Sequence, residues 1–223
     1  MIRAGLGFSG VILVFMIAVS AIGFSRIAPG AELPSHWNIK GEIDGYAPRD
    51  LMLILMPGLA FGLAALFALL PAIDPRKENV RASGGLYMTA WLGSLLLLAT
   101  LHGVIVLGTA FGAPVDLLMP NILLYSISAL MIVLGNFSAK SRSSFFIGVR
   151  TPWTLSSEHS WSVTNRAAGW MLVLTGLGAI AAGYFGDARA GFVVCLAGAL
   201  ATLVVSVAIS YFAWASDPDR RRA

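Results

Sequence analysis

Long apolar runs broken by short polar segments dominate the chain, and their lengths set the first expectation. Crossing the hydrocarbon core of a bilayer takes roughly 20 apolar residues in a helix. Six runs qualify: Gly5 to Ser25, Leu51 to Ile73, Leu86 to Phe111, Leu117 to Gly135, Ala168 to Phe185 and Ala190 to Ala215. Their interiors are nearly free of charge. In hydrocarbon every backbone N–H and C=O must be satisfied within the fold, which leaves helices or a closed barrel. A barrel would alternate apolar and polar residues over segments of about ten, and no such alternation is present. The pattern therefore predicts an all-α, polytopic integral membrane bundle of about six transmembrane helices. The first run follows Arg3 and invites comparison with a cleaved signal. Its apolar stretch is longer than the roughly 7–15 residues of such a signal and no Ala-x-Ala site follows, so it is read as a retained span.

Composition sharpens this picture. The chain has 223 residues, 57% of them hydrophobic and 12% charged, where a soluble domain carries about 25% charged residues. The mean hydropathy is +0.81 and the pI about 9.6. In a soluble protein that basicity would suggest nucleic acid. Here the basic residues sit between apolar runs, so they report topology, and no direct nucleic-acid partner is expected. One side of a six-span arrangement holds Arg3, Arg76, Lys77, Arg81, Lys140, Arg142, Arg150, Arg166 and Arg220 to Arg222; the other holds only Arg26, Lys40, Arg49 and Arg189. The positive-inside rule places the richer side, with both termini, in the cytoplasm. The single cysteine, Cys195, lies in an apolar run, excludes an internal disulfide and reads as a packing residue. Gly58 with Gly62, and Gly108 with Gly112, have the GxxxG spacing that lets helices approach closely, although with 24 glycines such pairs also arise by chance. Pro57 and Pro120 are candidate kinks.

Two polar segments carry more information than linkers do. The segment between the first two runs, residues 27–50, contains Pro34, His36, Trp37, Asn38, Gly41, Asp44 and Gly45. Gly41 and the Asp44-Gly45 pair signal turns, and Trp37, Ile39, Ile43 and Tyr46 give apolar anchors. A hairpin-like loop on the outer mouth of the bundle is expected, with Trp37 and Tyr46 also readable as interfacial aromatics. The inner segment, residues 136–167, contains Gly148, Arg150, Thr151, Pro152, Trp153, Trp161, Asn165 and Arg166, beginning with Asn136. Thr154 or Ser156 is placed to cap a short helix with Glu158 in its first turn. That helix would run into the fifth span, with Trp161 and Asn165 on one face. Two arginines with two tryptophans suit an interaction surface, or an interfacial segment bound to lipid headgroups.

No catalytic set appears. H-E-x-x-H and G-x-S-x-G are absent, no two aspartates fall within spans, and no phosphate-binding glycine loop implies a cofactor. His36, His102 and His159 are too widely separated to form one metal site, although His36 with Asp44 and Asn38 makes a local ion site conceivable. His102 lies within a span, where an ionisable residue raises a functional question. It could line a path near Thr100 or Thr109, or make one hydrogen bond to a neighbouring helix. A small transporter or exporter is the alternative to a binding and signalling role; its polar candidates are Ser94, His102, Asn121 and Ser126, with Pro120 to break a helix.

The two segments also resemble a known family. Pro34-Ser35-His36-Trp37-Asn38 followed by Gly41-Glu42-Ile43-Asp44-Gly45 resembles the signature of a bacterial membrane domain of unknown function often found at the N-terminus of SdpI-family proteins. Gly135-Asn136, then Phe146 to Ser156, then Trp161, Thr164, Arg166 and Gly169, is similar to the SdpI core signature. The resemblance implies a protein of the bacterial cytoplasmic (inner) membrane without a cofactor. The family's founding member gives immunity to a secreted peptide toxin and relays its presence by holding an ArsR-type winged-helix repressor at the membrane. The implied organisation is an N-terminal two-helix unit, residues 1–73, and a four-helix core, residues 74–223. The implied partners, besides membrane lipid, are a toxin at Pro34, His36, Trp37, Asn38, Gly41, Asp44 and Gly45, and a repressor at the inner segment. The chain departs from the family pattern at Asn165, where His is frequent, and at Ser144, where Asn is frequent.

Overall fold

The computed structural model describes residues 1–38 and 42–220. Six long helices carry the apolar runs: α1 (Ile2–Arg26), α2 (Arg49–Ile73), α4 (Gly84–Phe111), α5 (Val115–Ser138), α7 (Glu158–Phe185) and α8 (Ala188–Ala215). Two short helices, α3 (Lys77–Ala82) and α6 (Pro152–Leu155), and two strands, β1 (Glu32–Trp37) and β2 (Ile43–Pro48), lie between them. The bundle is a multi-pass membrane protein. Every predicted span is present, each helix reaching a few residues beyond its apolar run except at the shared ends Ile73, Phe111, Phe185 and Ala215.

The largest departure is at α7, which starts at Glu158 rather than Ala168. Hydropathy drops over Ser162 to Arg166, so the run appears to end there. The helix nevertheless continues, because Ser160, Trp161, Thr164 and Asn165 are buried against protein and face no lipid. The inner segment shrinks accordingly, since α5 also extends to Ser138.

Packing groups α1, α2 and α4 on one side and α5, α7 and α8 on the other, with α4 meeting α5 between them. A lipid-facing helix gains nothing from hiding apolar side chains, so association rests on close packing and interhelical hydrogen bonds. In the first group, Phe67 stacks on Trp91 at 5.9 Å, and the Tyr87 hydroxyl donates to the Phe67 carbonyl. His102 Nε2–H donates towards the Met16 carbonyl at 3.2 Å and Ser20 Oγ at 3.0 Å; Ser20 in turn donates to the Leu53 carbonyl at 2.7 Å. One chain of bonds thus ties α4, α1 and α2, as the plainer reading of His102 anticipates.

The second group is held by small residues, though not those with the GxxxG spacing. Gly58 and Gly62 face open space; Gly108 does allow a close approach, since a Cβ there would stand 2.5 Å from Val115 Cγ2 at the start of α5, while Gly112 (φ +71°) ends α4 as its left-handed cap. Close backbone approach occurs instead where α5 crosses α7. A Cβ on Gly135 would stand 2.5 Å from the Gly169 carbonyl oxygen, and one on Gly169 equally near that of Gly135. Cys195 packs as expected, with its Sγ 3.4 Å from the Met131 sulfur.

Candidate functional site

Two polar structures occupy the ends of α2. At its start is the expected hairpin. β1 and β2 pair antiparallel from Glu32 opposite Pro48 to Trp37 opposite Ile43, with irregular register around His36. Leu33 is fully buried and Pro34 is buried with it, so one side of the hairpin lies on the bundle. Gly45 is required by closeness: a Cβ there would meet His36 Cβ at 2.9 Å. Exposed His36 Nδ1 lies 2.5 Å from Asp44 Oδ1. Asn38 bonds to Glu42, donating to its carboxylate at 2.9 Å and accepting from its N–H at 3.1 Å. Gly41 lies outside the described residues.

The hairpin base is fixed by a residue that sequence reasoning counted only as a charge. Arg49 is buried, donating to the Ile27 carbonyl at 2.5 Å and to Asp50 at 2.7 Å, with its guanidinium 5.4 Å from the Phe24 ring centre. A buried arginine needs such partners to offset lost hydration.

At the other end of α2 lies the loop of residues 139–157, on the face where the basic residues gather. Thr151 caps α6: its hydroxyl accepts from Thr154 N–H at 3.1 Å, while Thr151 N–H donates to Thr154 Oγ1 at 2.8 Å. Pro152 fills the first helical position, where its missing N–H costs nothing. Ser157 caps α7, accepting from Ser160 N–H at 2.9 Å. The caps are therefore Thr151 and Ser157, not Thr154 or Ser156; Glu158 does stand in the first turn of α7. Thr154 is fully buried because its hydroxyl is used within the turn.

Trp161 and Asn165 do share one face of α7, and that face holds the loop from inside. Trp161 Nε1–H donates to the Ser141 carbonyl at 3.0 Å. Asn165 Oδ1 accepts from Val149 N–H at 2.8 Å, and its Nδ2 donates to the Trp161 carbonyl at 3.1 Å. Gly148, at φ +96°, passes so near that a Cβ would sit 2.7 Å from the Trp161 ring and 2.8 Å from Asn165 Oδ1. Trp161 and Asn165 are thus interior rather than part of an exposed surface. Thr151 is buried as well, donating to Ser210 Oγ on α8 at 3.0 Å. Asn136, Arg150, Pro152 and Arg166 face outward, with Trp153 half-buried at 5.3 Å from the Tyr211 ring. Asn165, one of the two departures, thus accepts from the loop and donates to its own helix at once. Ser144, the other departure, closes a turn on itself by donating to the Ile147 carbonyl at 3.0 Å.

Arg150 donates to the Phe145 carbonyl within the loop at 2.6 Å, and further ties come from residues not singled out in the sequence. Asp74 accepts from Arg76 N–H at 2.7 Å and from Phe145 N–H at 3.1 Å. Arg76 donates to Ser143 Oγ and, at 2.8 Å, to the Leu155 carbonyl, while Asn79 donates to the Ser143 carbonyl at 2.7 Å. Ser157 donates to Asp217 at 2.5 Å, and this bond, joined by one from the Asp219 backbone, holds the Asp217 carboxyl below its ordinary range. Asp74-Pro75 was the one local signal, a turn at the end of an apolar run. The polar residues of the transport alternative do not gather: Ser94 donates to the Ala90 carbonyl, His102 is used as above, Asn121 is exposed and Ser126 borders a groove between α4 and α5.

Comparison with known proteins finds a family match over each of these two structures. Residues 11–61, α1 through the hairpin into α2, match a domain of unknown function (DUF1648). Residues 140–211, from the loop through α8, match the SdpI/YfhL protein family. The immunity protein SdpI of Bacillus subtilis (strain 168) is 24% identical over 202 residues, 90% of this chain and 92% of that protein. No solved structure matches the chain. The second matched segment thus contains nearly all of the loop together with α7 and most of α8, the two helices that brace it.

Proposed function

We propose that the chain is a non-enzymatic, immunity-type protein of the bacterial inner membrane. The hairpin faces outward and engages a secreted peptide toxin through the neighbourhood of Pro34, His36, Trp37, Asn38, Gly41, Asp44 and Gly45. The loop faces the cytoplasm, where Arg150, Trp153 and Arg166, with Asn136 and Pro152 beside them, present a surface to an ArsR-type winged-helix repressor. Gly148, Thr151, Trp161 and Asn165 set that surface's shape.

One observation carries this reading. α2 begins directly at the end of the hairpin and ends at the residues that hold the loop. Its 25 residues, at about 1.5 Å each, make a rod about 37 Å long. A peptide that bound one position of the hairpin better than another would bias the position of α2, and with it the grip of Asp74 and Arg76 on the loop. Relay requires that difference in affinity between two states, and nothing more exotic. The name of the B. subtilis relative supports the immunity half of the reading.

The test is protection. Toxin-sensitive cells expressing the chain survive exposure to a sister-killing peptide, and a repressor co-purifies with the membrane protein only when peptide is present. Arg150→Glu with Arg166→Glu leaves protection intact and abolishes co-purification. Unchanged killing of the expressing cells counts against immunity; undiminished co-purification with the double variant counts against the assigned surface.

A further inference from the structure

Beneath the hairpin, α5 and α8 diverge and leave an apolar cavity of about 520 Å³, lined by Pro120, Leu123, Phe192 and Leu196 and bordered by Trp37 and Asn38. At Pro120 it adjoins a second concavity of about 690 Å³ with a different character, bordered by Glu42, Asp116, Asp187, Asn121 and Arg189. Among the described residues, three exposed carboxylates there face one cation, Arg189. The two spaces together form a cleft that is greasy within the span and anionic at the hairpin face.

We propose that this cleft is where the peptide binds, and that it selects an apolar segment bearing a cation at its water-side end. The inference rests on the peptide-binding reading above and names both the site and the ligand's chemistry. Hydrocarbon side chains fill the α5–α8 cavity, while a lysine, an arginine or an amino terminus lies among Glu42, Asp116 and Asp187. The headgroup of an anionic phospholipid would meet those carboxylates with its own charge, so charge favours the peptide over such a lipid. Trp37 adds a donor at the cavity's edge: its indole N–H is buried with no partner among the described residues, and a backbone carbonyl of the peptide would satisfy it.

The test uses the full chain in phosphatidylcholine nanodiscs and a fluorescent synthetic Leu/Ala peptide carrying two lysines at one end, compared with the same peptide carrying two glutamates. Exposed ion pairs are each worth a fewfold in affinity, so the lysine peptide is expected to bind about tenfold more tightly, less so at high salt. Asp116→Asn with Asp187→Asn removes that preference; Asn at 187 keeps the cap on Ala190 N–H that Asp187 now provides, because both residues cap well. Leu196→Trp fills the cavity from an exposed position and weakens both peptides, and Val193→Trp does so independently. Equal binding of the two peptides, or binding indifferent to both tryptophan variants, overturns the site and leaves the cavity to lipid chains. Because the assay needs no toxin, the two readings fail separately. A chain that binds the lysine peptide but never protects cells overturns immunity and leaves the site standing. A chain that protects cells but binds both peptides alike overturns the site.

Discussion

Replacing Gly148 by Ala should release the basic-face loop without loosening the spans. The backbone there has φ +96°, and a Cβ would press on the Trp161 ring at 2.7 Å and on Asn165 Oδ1 at 2.8 Å. A side chain in so sparsely populated a conformation costs about 1–3 kcal/mol, and overpacking a fixed neighbour costs about 1–3 kcal/mol more. Trp161 cannot yield easily, because its indole is bonded to Ser141 and its face is buried. The loop can, at the cost of the Trp161–Ser141, Val149–Asn165 and Thr151–Ser210 bonds and the ties to Asp74, Arg76 and Asn79. A penalty of about 2–6 kcal/mol multiplies the population of the lifted state by roughly 30-fold to more than ten-thousandfold. Hydrogen exchange read by mass spectrometry on the protein in nanodiscs should show faster exchange confined to peptides covering 141–157, with α8 unchanged. Gly58→Ala, where nothing lies within 4 Å, serves as the control and should leave every peptide as it is. Unchanged exchange over 141–157 in Gly148→Ala would refute the claim that α7 clamps the loop. Acceleration spread evenly over all spans would refute its being local.

Other consequences follow from the same contacts. Gly135→Val should lower the thermal stability of the detergent-solubilised protein by about 1–3 kcal/mol or more, whereas Gly62→Val should not; equal effects would contradict the α5–α7 crossing. His102→Ala should cost about 1–3 kcal/mol by leaving Ser20 and Met16 short of a partner, measured by thermal unfolding, and Ser20→Ala in the same background should add little. Asp217 has its carboxyl pKa lowered in the folded protein, chiefly by Ser157. Its contribution is therefore present above the unfolded carboxyl pKa and lost as pH falls through the folded one. Asp217→Asn should lower the melting temperature at neutral pH, and the gap from the native chain should close on acidification; a gap that is constant with pH would contradict the assignment.

How much of this was legible in the sequence varies with the physics of each part. The six spans were readable because lipid imposes a simple length and composition rule; the hairpin was anticipated too, but Asp44-Gly45, read as a turn signal, lies within β2 with Gly45 opposite His36. The start of α7 was not, because Thr164 and Asn165 are polar yet buried, and hydropathy cannot distinguish a polar side chain facing water from one facing a partner. For the same reason Trp161 looked like an exposed anchor but serves as a brace. Glycine spacing misled at Gly58 and Gly62, since which face of a helix meets a neighbour depends on tertiary placement. The ties of Arg76 to Ser143 and Leu155, and of Ser157 to Asp217, join positions 60 or more residues apart, and no local pattern encodes them.

The account depends on the hairpin and the loop standing on opposite sides of the membrane, with the hairpin outside. Single cysteines placed at exposed Glu42 and Glu158, in a Cys195→Ala background, test this with a membrane-impermeant maleimide. Glu42→Cys should label in intact cells and Glu158→Cys only after the membrane is opened. Labelling of both before lysis, or in the reverse order, would contradict the arrangement.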